Sequence, residues 1–346
     1  MKRLVAFVTL ISVIICLAGC SESKNKYTDY SFDYFDTATT IVGYADNKDE
    51  FDAVCDEIKG LLKEYHQLYN IYNRYEGVTN LCSVNDVYED EHKECVVDKK
   101  IIDLLLYAKE LYNITEGKMN VAMGSVLSIW HDYRTDGINN PETAKLPPMD
   151  KLIEASHHTN INNIIINKEA STVYLKDSKM SLDVGAIAKG YATEQIALYL
   201  EEKGIEGYLL NIGGNVRCVG SKPDGKPWSV GIENPESNED YIAYLKLSDM
   251  SIVTSGNYQR YYVVDGKNYH HIINPDTLMP ASYFRSVSVL CKDSGKADAL
   301  STALFNMTYE EGRELIKDMS DVEAMWVKPN GKKLYSKGFN NFTYEG

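Results

Sequence analysis

Several groups of residues in this 346-residue chain have types and spacings suited to chemistry on a phosphate. The richest lies in residues 181–220, SLDVGAIAKGYATEQIALYLEEKGIEGYLLNIGGNVRCVG. It reads as a short strand, a glycine-rich turn holding Lys189, an amphipathic helix, a second strand and a Gly-Gly corner. Gly185 and Gly190 let backbone N–H groups approach a ligand, and Lys189 adds a cation where a helix N-terminus already favours anions. No GxxxxGK[ST] occurs, and no GxGxxG follows a strand, so this is neither a P-loop nor a dinucleotide fingerprint. A second group is Asp298 and Thr302 in KADALSTALF. On a helix that spacing sets a carboxylate and a hydroxyl one turn apart on one face, hard oxygen ligands suited to Mg²⁺. An Asp in a first turn also suits the helix macrodipole with no ligand at all. A third is His271 in HHIINP, whose imidazole could take a proton from a hydroxyl near neutral pH or simply bond within a sheet. His270 should face the other side of the strand. Thr254-Ser255-Gly256 closes a strand with two hydroxyls and a glycine, as a ligand-lining turn or a self-bonded one would.

These residues must be positioned by a mixed set of elements. Residues 32–44 are β-branched and aromatic and read as an opening strand pair. Helical spacing of apolar residues predicts helices over 49–72, 98–112 and 296–307. Residues 115–130 read as a loop that re-enters structure and closes at Trp130, and 137–150 as an excursion loop. His157 and His158 end a polar helix and are expected to be exposed. From Ile161 onward strands dominate, with Asp265-Gly266 and Asn330-Gly331 as hairpin turns. Helices with largely antiparallel strands and no regular βαβ alternation point to an α+β fold.

The first residues describe an export signal: Lys2 and Arg3, an apolar run over 4–17, then Ala18, Gly19 and Cys20. Leu-Ala-Gly-Cys is also a bacterial lipobox, which makes residues 1–19 a lipoprotein signal peptide and Cys20 the lipidated first residue, with 20–28 as tether. The expected location is the extracytoplasmic face of the cell membrane, held there by the lipid. Loss of residues 1–19 takes the formal charge from −14 to −16, which argues against nucleic acid as a partner. Beyond Cys16 and Cys20, five cysteines remain; no CxxC or Cys/His cluster suggests zinc. Cys55 and Cys218 fit core positions, and a Cys82–Cys95 disulfide is open to an exported chain.

Read together, eight blocks resemble the ApbE family of FAD:protein FMN transferases: FDTATTI (35–41), EGKMNVAMGSVLSIW (116–130), SLDVGAIAKGYA (181–192), LLNIGGNVRCVG (209–220), PWSVGIENP (227–235), SIVTSGNYQRYY (251–262), HIINP (271–275) and KADALSTALF (296–305). Their order spans nearly the whole mature chain. The resemblance implies a single catalytic domain in two lobes over residues 29–346. It implies Mg²⁺-dependent transfer of FMN from FAD to a Ser or Thr hydroxyl of an acceptor flavoprotein, with release of AMP. Carried over position by position, it implies a metal held by Asp298, Thr302 and the Ala186 carbonyl, with Ser301 as a further oxygen. Phe35, Tyr75, Lys118, Met119, Asn120, Asp183, Lys189 and Ile273 match flavin-nucleotide positions, and His271 the base. The family's acceptor motif is absent, so the target is a separate protein. Where the family has Met-Gly-Thr, this chain has Phe35-Asp36-Thr37; a frequent Asp is Asn120; and Thr277-Leu278 replaces a Thr-Gly, which should force that turn into another conformation. An FAD pyrophosphatase yielding FMN and AMP, and a non-catalytic flavin-binding lipoprotein, share much of this reading.

Overall fold

A computed structural model describes residues 24–86 and 94–345; the signal segment and Cys20 lie outside the described residues. The chain opens with a hairpin, β1 (Asn25–Tyr34) and β2 (Thr37–Ala45), then α1 (Lys48–Tyr69), α2 (Leu81–Asp86), β3 (Cys95–Val96), α3 (Lys99–Ile114), α4 (Gly124–Asn139) and α5 (Met149–Ser156). Next come β4 (Ile164–Asn167), β5 (Thr172–Leu175), α6 (Ala188–Glu202), β6 (Tyr208–Ile212), β7 (Asn215–Val219), β8 (Trp228–Asn234), β9 (Ser237–Leu247) and β10 (Ser251–Gly256). The hairpin β11 (Tyr261–Val264) and β12 (Lys267–His270) precedes β13 (Ser286–Cys291), α7 (Ser294–Phe305), α8 (Tyr309–Ile316), β14 (Glu323–Val327), β15 (Lys333–Tyr335) and β16 (Thr343–Tyr344).

The frame is an eight-stranded sheet in the order β1-β2-β6-β7-β10-β13-β14-β15, antiparallel at every neighbour pair. The period-two alternation of its strands decides the layers. Ile41, Leu210 and Ile212 point to one face, where α1, α3 and α6 bury Phe51, Ile58, Leu62, Leu104 and Ile196 against them. On the same side of the later strands, Val287, Val289 and Trp326 pack with Leu300 and Leu304 of α7. Val216, Cys218, Ile252 and Met325 take the opposite face and meet Trp228, Val230 and Leu245 of the small β16-β9-β8 sheet. A separate apolar cluster joins Val126 and Trp130 of α4, Leu152 of α5 and Tyr262 and Val264 of β11, which makes a second lobe beside the main sheet. The expected α+β architecture is therefore present.

Several local expectations change. Residues 181–184 form no strand: the Asn85 side-chain amide bonds both Leu182 backbone groups, Val121 takes the Asp183 N–H, and the Ser181 carbonyl accepts from Gly124. With those backbone groups engaged, no ladder is left to make. The segment read as closing at Trp130 instead runs on as helix to Asn139. Cys82 and Cys95 are both buried and unpaired, as are Cys55, Cys218 and Cys291. His157 is exposed, but His158 is largely covered and bonds Asp177 at 2.9 Å. Leu278 stands at φ 59, the left-handed conformation glycine adopts most easily, so its replacement of glycine does not force a different backbone there. Its side chain is buried in the second lobe and its carbonyl accepts from Trp130 Nε1 at 2.9 Å, contacts that offset the strain. Asp36 (φ 51) and Phe35 (φ 54) likewise form the β1–β2 turn with two positive φ angles, the hairpin geometry that usually selects Asn-Gly.

Candidate functional site

The site begins where α6 meets α7. Lys189 and Gly190 are the second and third residues of α6, directly after the Gly185-Ala186 turn. The Gly190 N–H donates to Asp298 Oδ2 at 2.8 Å, tying the lysine corner to the acidic helix across 108 residues of sequence. Gly190 is required here: a side-chain carbon would collide with Asp298 Cβ and with the Ser294 carbonyl. Helix α7 is buried nearly all round, yet it carries a carboxylate, Asp298, only 4% exposed. Burial pushes that carboxyl upward from its usual value, partly opposed by Lys189 and the Gly190 N–H.

One turn on, Thr302 Oγ1 makes only a long contact with Ser255 Oγ, at 3.4 Å. Ser301 faces away, with its hydroxyl on the Asp298 carbonyl (2.9 Å) and on Ser255 Oγ (2.8 Å). Thr254 bonds Ser288 of β13 at 2.8 Å, and Thr254, Ser255 and Gly256 are the last residues of β10 rather than a turn and line the site.

Ala186, Lys189, Asp183, Asp298, Thr302 and His271 all line one cavity of ≈ 220 Å³ between the main sheet and the second lobe. Its far wall comes from Trp130, His131 and Arg134 of α4 and from Arg260 and His271 at the base of the β11–β12 hairpin. Asp183 accepts from Gly185 N at 2.8 Å, and burial raises its carboxyl against the pull of that bond, His131 and Arg134. His271 is held at its backbone N–H and at Nδ1 by the Arg260 carbonyl (3.2 and 3.3 Å). A carbonyl only accepts, so Nδ1 carries the proton and Nε2 keeps the lone pair. Burial, then the positive charges of Arg260 and Arg134, lower its pKa to about 3, so the ring is neutral across the working range. His270 faces the other way, buried, with Nε2 on the Ala281 carbonyl at 2.7 Å.

A second hollow of ≈ 140 Å³ shares Tyr72, Asp183, Lys189 and Arg260 with the first and is walled by Phe35, His66 and Tyr69. His66 Nδ1 accepts the Phe35 N–H (3.0 Å) and its Nε2 meets Tyr75 OH (3.0 Å), so Tyr75 supports this wall from behind. Lys118, Met119, Asn120 and Ile273 do not line either hollow. Lys118 pairs with Asp276; Met119 is in the main core; Asn120 bonds Thr159 O (2.9 Å) and Ala122 N (2.9 Å); Ile273 is in the second-lobe core. Their turn adjoins the site through the Asp183 N–H on the Val121 carbonyl. Thr37 also lines the cavity, as do Arg134, Arg260, His131 and Asn215, to which the sequence assigns no role. Arg260 and Asn215 fall within the family-like segments 251–262 and 209–220, and the signal for Arg134 is its place four residues after Trp130.

Among the described residues no trio of His, Cys, Asp and Glu side chains could hold a metal. The donors present, one carboxylate without an ion pair, one hydroxyl and a main-chain turn, fit a hard cation that completes its shell with water and ligand oxygens. No helix of the described residues is long and apolar enough to cross a membrane.

A family model described as the ApbE family matches residues 35–326. A Klebsiella pneumoniae protein named FAD:protein FMN transferase is 29% identical over 282 residues, 81% of this chain and 83% of its own length. A Treponema pallidum protein of the same name is 32% identical over 258 residues, 70% of this chain and 69% of its own. The crystal structure of an ApbE protein from Thermotoga maritima superposes with a TM-score of 0.79 at 28% identity, covering 93% of this chain and all of that one. The flavin transferase ApbE from Vibrio cholerae gives 0.75 at 26%, over 92% and 99%.

Proposed function

Since the chain belongs to the ApbE family, we propose that it is an FAD:protein FMN transferase that esterifies FMN to a Ser or Thr hydroxyl of an acceptor protein and releases AMP. The observation that carries this reading is the convergence of Lys189, Asp298, Thr302, Asp183 and His271 on one cavity. The acceptor hydroxyl oxygen bonds to the FMN-side phosphorus, the anhydride bond to the AMP phosphate breaks, and the hydroxyl proton passes to His271 Nε2. His271 suits that task because the Arg260 carbonyl fixes its tautomer with Nε2 free. Lys189 and the N-terminus of α6 offer positive charge to the pyrophosphate and orient it for in-line attack. Ala186, Asp298 and Thr302 are the residues that would hold Mg²⁺, which when bound neutralises charge on the phosphate oxygens. The aromatic wall of Phe35, His66 and Tyr72 suits the planar flavin. On the sequence reading, Cys20 carries the lipid that keeps the enzyme outside the membrane; Cys20→Ala should move it from the membrane fraction to the soluble one.

The decisive experiment incubates residues 24–346 with FAD, Mg²⁺ and an acceptor protein, then looks for flavin fluorescence on the denatured acceptor band. Covalent fluorescence that vanishes with EDTA is the expected result. Free FMN with no labelled band would turn the reading to a pyrophosphatase, and FAD binding with no AMP to a passive binder.

A further inference from the structure

The chain carries 50 acidic residues against 36 basic ones, and three of its arginines are ion-paired among the described residues. Arg74 pairs with Asp86, Arg285 with Glu236, and the fully buried Arg217 with Glu194, Glu201 and Asp249. Arg313, exposed on α8, has no ion pair among the described residues, and neither do Arg134 and Arg260, which differ in where they stand. Both line the central cavity, and among the described residues neither has a carboxylate within ion-pair reach. Arg134 is half-buried, and its side chain bonds only a neutral acceptor, His131 Nδ1, at 3.1 Å. His131 is itself braced by stacking on Tyr72, with ring centroids 4.9 Å apart at 29°. Asp183 shares the cavity, and its charge acts on Arg134, but no bond joins them. Tyr72 and Asp183 only partly offset the desolvation of Arg134, and the charge of Arg260 adds to it. A half-buried Arg134 without a carboxylate partner, beside an exposed Arg260 on the same cavity, marks a place for a bound anion.

The geometry also says which part of the anion. Both guanidiniums act on His271 and line its cavity, and Arg260 holds the His271 ring through its main-chain carbonyl, so both stand beside the base. In-line displacement puts nucleophile and leaving group on opposite sides of phosphorus. Groups beside the base therefore reach the non-bridging oxygens of the phosphoryl being transferred, not the departing AMP. We propose that Arg134 and Arg260 form an anion clamp on the non-bridging oxygens of the FMN-side phosphate, gripping it before, during and after transfer. The clamp rests on the transferase reading, and it leaves the metal-side wall to the remaining phosphate charge. His131 and its Tyr72 stack are positioning groups that aim Arg134.

The test compares binding of FMN with that of riboflavin, which has the same ring and no phosphate, by flavin fluorescence quenching. The proteins are wild type, Arg134→Gln, Arg260→Gln and the corresponding Lys variants. FMN should bind wild type more tightly than riboflavin, with a preference that shrinks as salt rises. Each Gln change should weaken FMN roughly 10- to 100-fold, the worth of a charge-assisted bond, leave riboflavin unchanged, and be partly restored by Lys. Gln variants that keep the wild-type preference for FMN would overturn the clamp, as would equal losses for FMN and riboflavin in variants that unfold at the wild-type temperature. Failure of the transferase reading shows separately, as a wild-type protein that labels no acceptor.

Discussion

Gly190→Ala probes the one backbone approach on which the whole cavity depends. The added methyl would stand within 3.0 Å of Asp298 Oδ2 and would collide with Asp298 Cβ and the Ser294 carbonyl oxygen. Carbon contacts relax to about 3.5–4.0 Å, and both obstacles belong to the rigid first turns of α7. Helices α6 and α7 must then part by about 1 Å. Overpacking of that kind costs about 1–3 kcal/mol, while alanine returns about 1 kcal/mol of helix propensity. The net loss should be about 0–2 kcal/mol, small enough for the protein to remain folded. The functional effect should be larger. Separation breaks the Gly190 N–H bond to Asp298, now 2.8 Å, and moves Lys189 relative to the carboxylate. A displacement of about 1 Å can cost about 100-fold in rate. The assay pairs thermal unfolding with acceptor labelling at saturating FAD and Mg²⁺. A variant that labels at the wild-type rate, with its melting temperature unchanged, would show that the α6–α7 contact does not build the site.

Other expectations follow from the same geometry. Asp298→Asn removes a buried carboxylate that has no ion pair and whose pKa burial raises. A raised carboxyl costs stability once ionised and regains it as pH falls. The metal-free variant should therefore unfold no earlier than wild type at pH 7, yet gain nothing from Mg²⁺, where wild type gains by mass action; an Asn variant stabilised by Mg²⁺ as wild type is would remove Asp298 as a ligand. His271 has a folded pKa of about 3, below the ordinary 6.5, so the unfolded chain binds the extra proton and stability drops as pH falls from about 6.5 toward 3. The slope per proton is at most about 1.4 kcal/mol per pH unit. His271→Gln should flatten part of it in denaturant titrations at pH 4–6 and slow labelling while FAD still binds. Asp36→Gly should stabilise by about 0.5–1 kcal/mol, because it relieves a positive φ on an exposed residue. Leu278→Gly should instead lose about 1–3 kcal/mol, since it gives up a buried side chain at a similar φ. Chemical denaturation of both variants would compare them directly.

How much of this was readable beforehand depends on what each residue signals locally. Lys189, Asp298 and Thr302 were legible because glycine spacing and a four-residue interval are short-range patterns that survive folding unchanged. The lobe that faces them was not. Met123, Val126 and Trp130 hold helical spacing, but the polar run HDYRTD after Trp130 hides the continuation of the helix through Arg134. The polarity has a reason: that part of α4 turns toward a cavity that must receive charge, and a core-facing pattern would defeat it. Residues 181–184 fail in the complementary way. Their composition suits a strand, but Asn85, Val121 and Gly124 claim their backbone groups from distant parts of the chain. That bonding leaves Asp183 at the cavity wall rather than in a ladder. Leu278 shows the same override in a turn, where tertiary burial holds a branched residue in glycine's conformation. Around Arg134 and Asp183 local preference yields at the lining of the cavity, and such departures mark where the ligand sits, whereas Leu278 yields to the second-lobe core.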